Sequence, residues 1–126
     1  MKEGNIQADI AMQLSKQPNI RVFRNNVGKA WVGSVIHRDD KTVTIANYRI
    51  LHAGLCEGSS DLIGIKKIII TPDMVGQEIG VFLGVEVKTP TGRPSKAQLA
   101  FRNFVNKFGG KCEIVRNGDE ALRKFV

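Results

Sequence analysis

The chain opens with a helical rhythm of hydrophobic and polar positions. Apolar side chains recur at every fourth residue, at Ile6, Ile10 and Leu14, with polar residues between them. This spacing places the three side chains on one face of a helix. The pattern therefore predicts an amphipathic helix over residues 4–17, which Pro18 ends because proline cannot continue the helical hydrogen bonding.

Extended segments follow this helix. Residues 20–24 combine β-branched and aromatic side chains with two arginines and predict a strand. The β-branched residues of 32–37 and 42–46 predict a hairpin around the polar turn 38–41. Residues 47–58 match neither the helical nor the strand pattern, so no element is predicted for them.

The second half of the chain alternates strands with helices. Apolar runs predict two strands at 62–70 and 79–88, and a helical repeat of apolar residues predicts a helix over 95–108. A short strand at 112–115 and a final helix at 119–125 complete the series. This order of elements predicts the α/β class, with a mixed sheet flanked by helices.

Length and composition narrow the possible functions. A chain of 126 residues, 42% hydrophobic and 25% charged, predicts one globular domain over residues 1–126. No apolar run is long enough to span a bilayer and no signal peptide opens the chain, so we expect no membrane partner. Cys56 and Cys112 lack metal-binding spacing and predict free thiols in a reducing compartment, the cytoplasm. The net charge of +7 favours a polyanionic partner.

Two charged residues on one predicted strand are the first candidates for chemistry. Glu86 and Lys88 stand two apart, so both side chains leave the same face of the strand. If 62–70 and 79–88 form an antiparallel hairpin, Asp61 lies opposite Lys88 and close to Glu86. Two carboxylates beside a lysine suit a hard divalent cation such as Mg²⁺. The alternative is an ordinary Glu–Lys pair at a solvated strand edge.

Other residues admit two interpretations. Asp73 follows Pro72 and precedes the Glu86-Val87-Lys88 segment, but it lies at the far end of the predicted hairpin and is better explained as a turn residue. Gln98 stands three residues after Ser95, where it either completes a capping box or supports the site. Trp31 either stacks on an unpaired base or packs in a core or interface.

Four segments of the chain together resemble one nuclease family. They are 23–28 (Phe-Arg-Asn-Asn-Val-Gly), 58–64 (Gly-Ser-Ser-Asp-Leu-Ile-Gly), 84–88 (Gly-Val-Glu-Val-Lys) and 92–98 (Gly-Arg-Pro-Ser-Lys-Ala-Gln). In this order they are similar to the VRR-NUC (virus-type replication-repair nuclease) family of the PD-(D/E)XK superfamily. The resemblance covers roughly residues 3–108. It implies a restriction-endonuclease-like αβββαβ core of the stand-alone viral or prophage type, acting in the bacterial host cytoplasm.

The resemblance also implies roles for individual residues. Asp61 and Glu86 would ligate Mg²⁺ or Mn²⁺ together with the main-chain carbonyl of Val87, and Lys88 would contact the attacking water and the scissile phosphate. Gln98 would support the site from the following helix. Glu3 matches a glutamate on the family's first helix, or is simply an acid favoured by the helix dipole.

A group of basic and polar residues near these motifs is expected to contact DNA phosphates and give salt-sensitive binding. The expected DNA-contacting residues are Arg24, Asn25, Lys29, Arg93 and Lys96, with Arg102 as a further basic member of the group.

These expectations combine into a metal-dependent DNA endonuclease, and the resemblance implies that its substrate is branched DNA, including four-way (Holliday) junctions. The resemblance alone implies that it acts as a homodimer. The alternative is a non-catalytic nucleic-acid-binding module on a degenerate nuclease fold. A sequence-specific restriction-type enzyme would need a recognition region for which 126 residues leave little room.

Overall fold

The computed structural model describes residues 2–126 and confirms a mixed α/β architecture. The helices are α1 (Glu3–Ser15), α2 (Lys96–Lys107) and α3 (Gly118–Phe125). The strands are β1 (Ile20–Arg24), β2 (Gly28–Arg38), β3 (Val43–Ala53), β4 (Leu62–Lys66), β5 (Leu83–Val87) and β6 (Lys111–Val115), with a 3₁₀ turn at Pro72–Met74. Strand pairs join β1 to β4, β2 to β3 and β5 to β6.

The chain divides into two compact units. The first comprises Met1–Leu14 and Val22–Gly64, and the second comprises Ser15–Arg21 and Ile65–Val126. That the whole chain forms a single domain stays a prediction. None of the described helices combines the length and the apolar character that a membrane crossing requires.

The hairpin of the first unit is longer than its sequence pattern predicts. β2 and β3 pair antiparallel from Gly28↔Ala53 to Arg38↔Val43, with two irregularities in the register. Asp39 closes the turn by accepting hydrogen bonds from the main-chain N–H groups of Lys41 and Thr42, both at 2.8 Å. These bonds hold the pKa of the Asp39 carboxyl below its ordinary value, and the bond from Lys41 has the largest effect. The unassigned residues 47–53 continue β3.

The second unit is built on a parallel strand pair. β5 and β6 run side by side from Leu83↔Lys111 to Val87↔Val115, and α2 and α3 contact β6. Its buried centre contains Ile65, Val105 and Cys112, with three phenylalanines packed around it. β5 approaches β6 closely at Gly84, where a Cβ would lie 2.6 Å from the sulfur of Cys112.

The predicted antiparallel hairpin of 62–70 and 79–88 is wrong. Among the described residues β4 pairs with β1, and β5 pairs with β6 in parallel. β4 ends at Lys66, and the three isoleucines that follow it are exposed, Ile69 at 86%. An apolar run alone cannot distinguish a buried strand from an exposed connection, because neighbouring strands decide which residues are covered.

Candidate active site

Three polar side chains meet on β5 and α2. Glu86 Oε1 accepts a 2.7 Å hydrogen bond from Gln98 Nε2 and lies 3.3 Å from Lys88 Nζ. The alternation of the strand explains the meeting, because Glu86 and Lys88 leave one face of β5 while Val85 and Val87 leave the other and are exposed. One carboxylate thus faces a cation and an amide donor.

The pair formed by Glu86 and Lys88 is partly withdrawn from water. Their side chains are 32% and 21% exposed, and the main-chain N–H of Lys88 donates a 3.0 Å hydrogen bond to the carbonyl of Val115. That bond extends the β5–β6 ladder and fixes the backbone from which the lysine projects. Both charges therefore stand on a rigid strand, at a site still accessible to a ligand.

Gln98 makes a contact that fits each of its two predicted roles, since it caps α2 and also donates a hydrogen bond to Glu86, while its part in a site stays a prediction. Its Oε1 accepts a 2.8 Å hydrogen bond from the main-chain N–H of Ser95, and Ser95 Oγ accepts a 3.1 Å bond from the N–H of Gln98. This capping box starts α2. The capping bond uses the oxygen of the amide, which turns its nitrogen towards Glu86. A glutamine can serve both partners because its amide carries an acceptor and a donor.

Glu86 and Gln98 also line an open cavity of about 460 Å³ between β5 and α2, whose other walls are mostly apolar. Glu86 Oε2 makes no hydrogen bond to any described residue, so one carboxylate oxygen remains available. Oxygen ligands of this kind suit Mg²⁺, which commonly takes one or two carboxylates plus phosphate and water. No cluster of three or more His, Cys, Asp or Glu able to hold a metal occurs within residues 2–126.

Asp61 lies in the first unit, directly before β4. Its carbonyl accepts a 2.9 Å hydrogen bond from the main-chain N–H of Asn25. The Asn25 side chain is buried; it donates to Ser59 Oγ at 2.7 Å and to the Ser60 carbonyl at 2.8 Å, and accepts from the N–H of Leu55 at 2.9 Å. Asn25 therefore holds the loop that ends at Asp61.

This arrangement changes the interpretation of Asn25. Its predicted contact with DNA gains no support, because the side chain is buried and both ends of its amide already have partners. The sequence offered one signal of the positioning role: an asparagine directly after a strand readily bonds to nearby backbone.

Glu3 and Val87 are the remaining predicted site residues, and Asp73 is the candidate that the sequence assigns to a turn instead. Glu3 lies exposed at the start of α1 and accepts a 3.3 Å hydrogen bond from Gln7. Val87 lies between Glu86 and Lys88 and pairs with Val115. Asp73 lies in the 3₁₀ turn and accepts a hydrogen bond from Thr71, as expected of a turn residue.

Four of the predicted DNA-contacting cations are exposed, and none forms an ion pair within the described part of the chain: Arg24, Lys29, Arg93 and Lys96. Arg102 differs from them. Its guanidinium pairs with Glu113 at 3.1 Å, joining α2 to β6, so its charge is already compensated inside the protein.

Comparison with known proteins gives one match. The sequence model of the VRR-NUC domain matches residues 1–118. No curated protein and no solved structure matches the chain.

Proposed function

The chain belongs to the VRR-NUC family and so carries a nuclease-type domain, and from this premise we propose that it is a metal-dependent endonuclease that hydrolyses phosphodiester bonds in branched DNA. One observation carries the proposal: Glu86 contacts both Lys88 and Gln98, and Glu86 and Gln98 line the β5–α2 cavity. These residues combine an anion for a metal, a cation for a phosphate and an amide that orients the anion. A purely structural pair would need no such cavity beside it.

Each residue has a distinct task in this proposal. Lys88 carries its positive charge to the scissile phosphate and stabilises the negative charge that develops there as water attacks phosphorus. Glu86 holds that ammonium in place, at 3.3 Å, before the substrate arrives. Gln98 fixes the Glu86 carboxylate by its 2.7 Å hydrogen bond, so the charges are arranged before the reaction begins.

A divalent cation completes the proposed chemistry. By their positions in the family motifs, Asp61, Glu86 and the carbonyl of Val87 would hold Mg²⁺ or Mn²⁺. When bound, the ion supplies the positive charge that makes water a nucleophile at neutral pH. The free Oε2 of Glu86 is a donor of the required kind.

The substrate and assembly follow from the same premise. The exposed cations Arg24, Lys29, Arg93 and Lys96 would neutralise phosphates irrespective of sequence, consistent with the net charge of +7. A homodimer would supply two sites for the two symmetric cuts of a four-way junction.

The test is cleavage of labelled four-way junction, flap and plain duplex DNA with and without Mg²⁺. Asp61→Asn and Glu86→Gln should each abolish cleavage while DNA affinity, measured in EDTA, stays within about twofold. Asp73→Asn is the matched control and should cut normally, because Asp73 belongs to a turn. Full cleavage by both site variants would refute the assignment. Metal-independent DNA binding without cleavage by the unaltered chain would instead establish a non-catalytic binding module.

A further inference from the structure

The β2–β3 hairpin exposes two aromatic rings on one face. Trp31 and Tyr48 are 66% and 64% exposed, and their rings meet edge to face with centroids 5.2 Å apart. Trp31 pairs across the strands with Ile50. Exposed apolar side chains that form one contiguous patch are typical of a binding surface. We call the side of the hairpin that carries these rings the aromatic face.

The aromatic face contains a shallow pocket. Trp31, Val43, Ile45 and Tyr48 line an open volume of about 540 Å³. Its walls are two aromatic rings and two β-branched side chains, with no charged group among them. An edge-to-face ring pair leaves ring surface free for a third flat group, which a nucleobase supplies.

Basic residues lie at both ends of the aromatic face. Lys29 stands two residues before Trp31, on the same face, and pairs across the strands with His52. At the other end Arg38 pairs with Val43, which lines the pocket. Neither strand contains an aspartate or a glutamate. Asp39 and Asp40 follow Arg38 in the turn, so the excess of positive charge lies at the Lys29 end. The face is therefore apolar in its centre and cationic at the Lys29 end, which complements a base and the phosphate beside it.

We infer that the aromatic face is a binding site for unpaired nucleotides of the DNA substrate. Bases stack on Trp31 and Tyr48, while Lys29 contacts a flanking phosphate. Stacking requires bases that are not paired, so the site selects single-stranded or frayed segments such as those at a branch point. The inference rests on the proposed function and adds to it which form of DNA the protein holds outside the cleavage site.

A second copy of the chain is the main rival for this face. The hairpin over residues 28–53 carries four lysines or arginines against the two aspartates of its turn, so two copies facing each other would bring together surfaces of like net charge. A nucleotide strand meets the same cations with opposite charge. Charge complementarity therefore favours DNA over self-association.

The experiment uses intrinsic fluorescence, because Trp31 is the only tryptophan of the chain. The full-length protein is titrated with a 12-nucleotide oligo(dT) and, separately, with a 12-base-pair duplex, both in EDTA to prevent cleavage. We expect saturable quenching by the single strand and much less by the duplex. Tyr48→Ala should weaken oligo(dT) binding, measured by anisotropy, by about tenfold and leave duplex binding within twofold, since stacking contributes only where bases are unpaired.

Leu51→Ala is the matched control. Leu51 is an exposed apolar residue of the same hairpin, and it pairs with Ala30, next to Trp31 in sequence and therefore on the opposite side. This variant should bind oligo(dT) as the unaltered chain does. Equal losses in Leu51→Ala and Tyr48→Ala would overturn the inference, because a general loss of hairpin structure would then explain both.

Three further outcomes decide the question. If the duplex binds but oligo(dT) neither binds nor quenches the Trp31 fluorescence, this inference is overturned and the proposed nuclease function is unaffected. If the unaltered protein binds no form of DNA, the proposed function is refuted as well. The Trp31 emission maximum could instead shift to the blue as protein concentration rises, with no effect of oligo(dT). If that shift coincides with dimer formation in sedimentation, the face is assigned to a second copy of the chain.

Discussion

Gln98 donates a 2.7 Å hydrogen bond to Glu86 with the nitrogen of the amide whose oxygen caps α2. The start of the helix and the orientation of the carboxylate therefore depend on one side chain. Fraying of the first turn of α2 would release Glu86 from its amide donor. The site is thus coupled to the local stability of a helix terminus.

Three substitutions separate the two functions of this glutamine. Gln98→Glu keeps an oxygen for the Ser95 N–H but places a second carboxylate against Glu86. We expect a loss of cleavage rate of about 10–100-fold, the usual effect of removing a group that orients a metal ligand. Ser95→Ala should cost about 0.5–2 kcal/mol of unfolding free energy by removing the cap. It should slow cleavage less than Gln98→Glu does, because it loosens the start of α2 but keeps the amide that donates to Glu86. Gln98→Ala should show both losses.

The measurements are urea unfolding and single-turnover cleavage on the same three proteins. If Gln98→Glu cuts at the normal rate, the hydrogen bond to Glu86 is a packing contact and plays no part in the reaction.

Lys88→Met tests whether the lysine acts on the phosphate. If it does, the single-turnover rate should fall by about 10²–10³-fold, the scale for removing one preorganised charge partner. Mn²⁺ affinity, measured by calorimetry, should persist because lysine is not a metal ligand. Stability should change by less than about 1 kcal/mol, as for other partly exposed ion pairs.

Lys124→Met is the matched control for this change. Lys124 pairs with Glu120 at 3.0 Å in α3 and donates to the carbonyl of Ile114 at 2.7 Å, so it is an ion-paired lysine that belongs to other elements than Glu86 and Gln98. It should cut normally. A Lys88→Met protein that also cuts normally would assign Lys88 to an ordinary strand-edge pair.

Gly84→Ala tests the close approach of β5 to β6. The new Cβ would lie 2.6 Å from Cys112 Sγ and 3.2 Å from Cys112 Cβ, and the buried cysteine has little room to move. We expect a loss of about 1–3 kcal/mol in chemical denaturation. Adding Cys112→Ala should recover part of that loss, giving a positive coupling in the double-mutant cycle.

Gly80→Ala provides the comparison, since nothing lies within 4 Å of the position that its new methyl group would occupy and its φ is not positive. It should be neutral or slightly stabilising. Equal destabilisation at both glycines would mean that backbone freedom, not contact with Cys112, determines the result.

The two cysteines should differ sharply in reactivity. Cys56 is exposed and Cys112 is buried, and burial raises the pKa of the Cys112 thiol above its ordinary value. At pH 8 we expect iodoacetamide to alkylate Cys56 at least about 100-fold faster, because Cys112 reacts only after the structure opens. Mass spectrometry of quenched samples measures both rates.

The same raised pKa gives a pH dependence. The folded state favours the neutral thiol, so its contribution to stability is complete below the pKa of an unfolded cysteine and is lost as the pH rises through the higher folded value. Cys112→Ala should weaken the alkaline fall in stability. An unchanged fall would show that other groups cause it.

The sequence predicts elements well where their pattern is local. The helical repeat and the Ser95 cap predict α2, and the prediction is confirmed at Lys96–Lys107. The β2–β3 hairpin is confirmed too, because its turn joins neighbouring strands. By contrast, the parallel pairing of β5 with β6 brings together residues separated by a helix, and no local pattern encodes such a register.

In the candidate site, too, local relationships could be predicted from the sequence and long-range ones could not. Glu86 and Lys88 share a face because strands alternate, so their proximity could be predicted from two positions. The convergence of Asp61 with them was inferred from a hairpin that does not form, so only the family motifs now support it. The double role of Gln98 required knowing where α2 lies relative to β5, which is a matter of packing.

The hydrogen bonds of Asn25 bear on how much the length of the β2–β3 hairpin can change. Its four hydrogen bonds join the residue just before the hairpin to the loop just after it, so the whole of Gly28–Ala53 is closed off at its base. Such a closure turns the hairpin into an insertion whose length has little effect on the strand that begins after Asp61. Doubling a loop closed in this way costs only about 0.6 kcal/mol of chain entropy. The hairpin can therefore lengthen, shorten or be exchanged while the loop leading to Asp61 keeps its form.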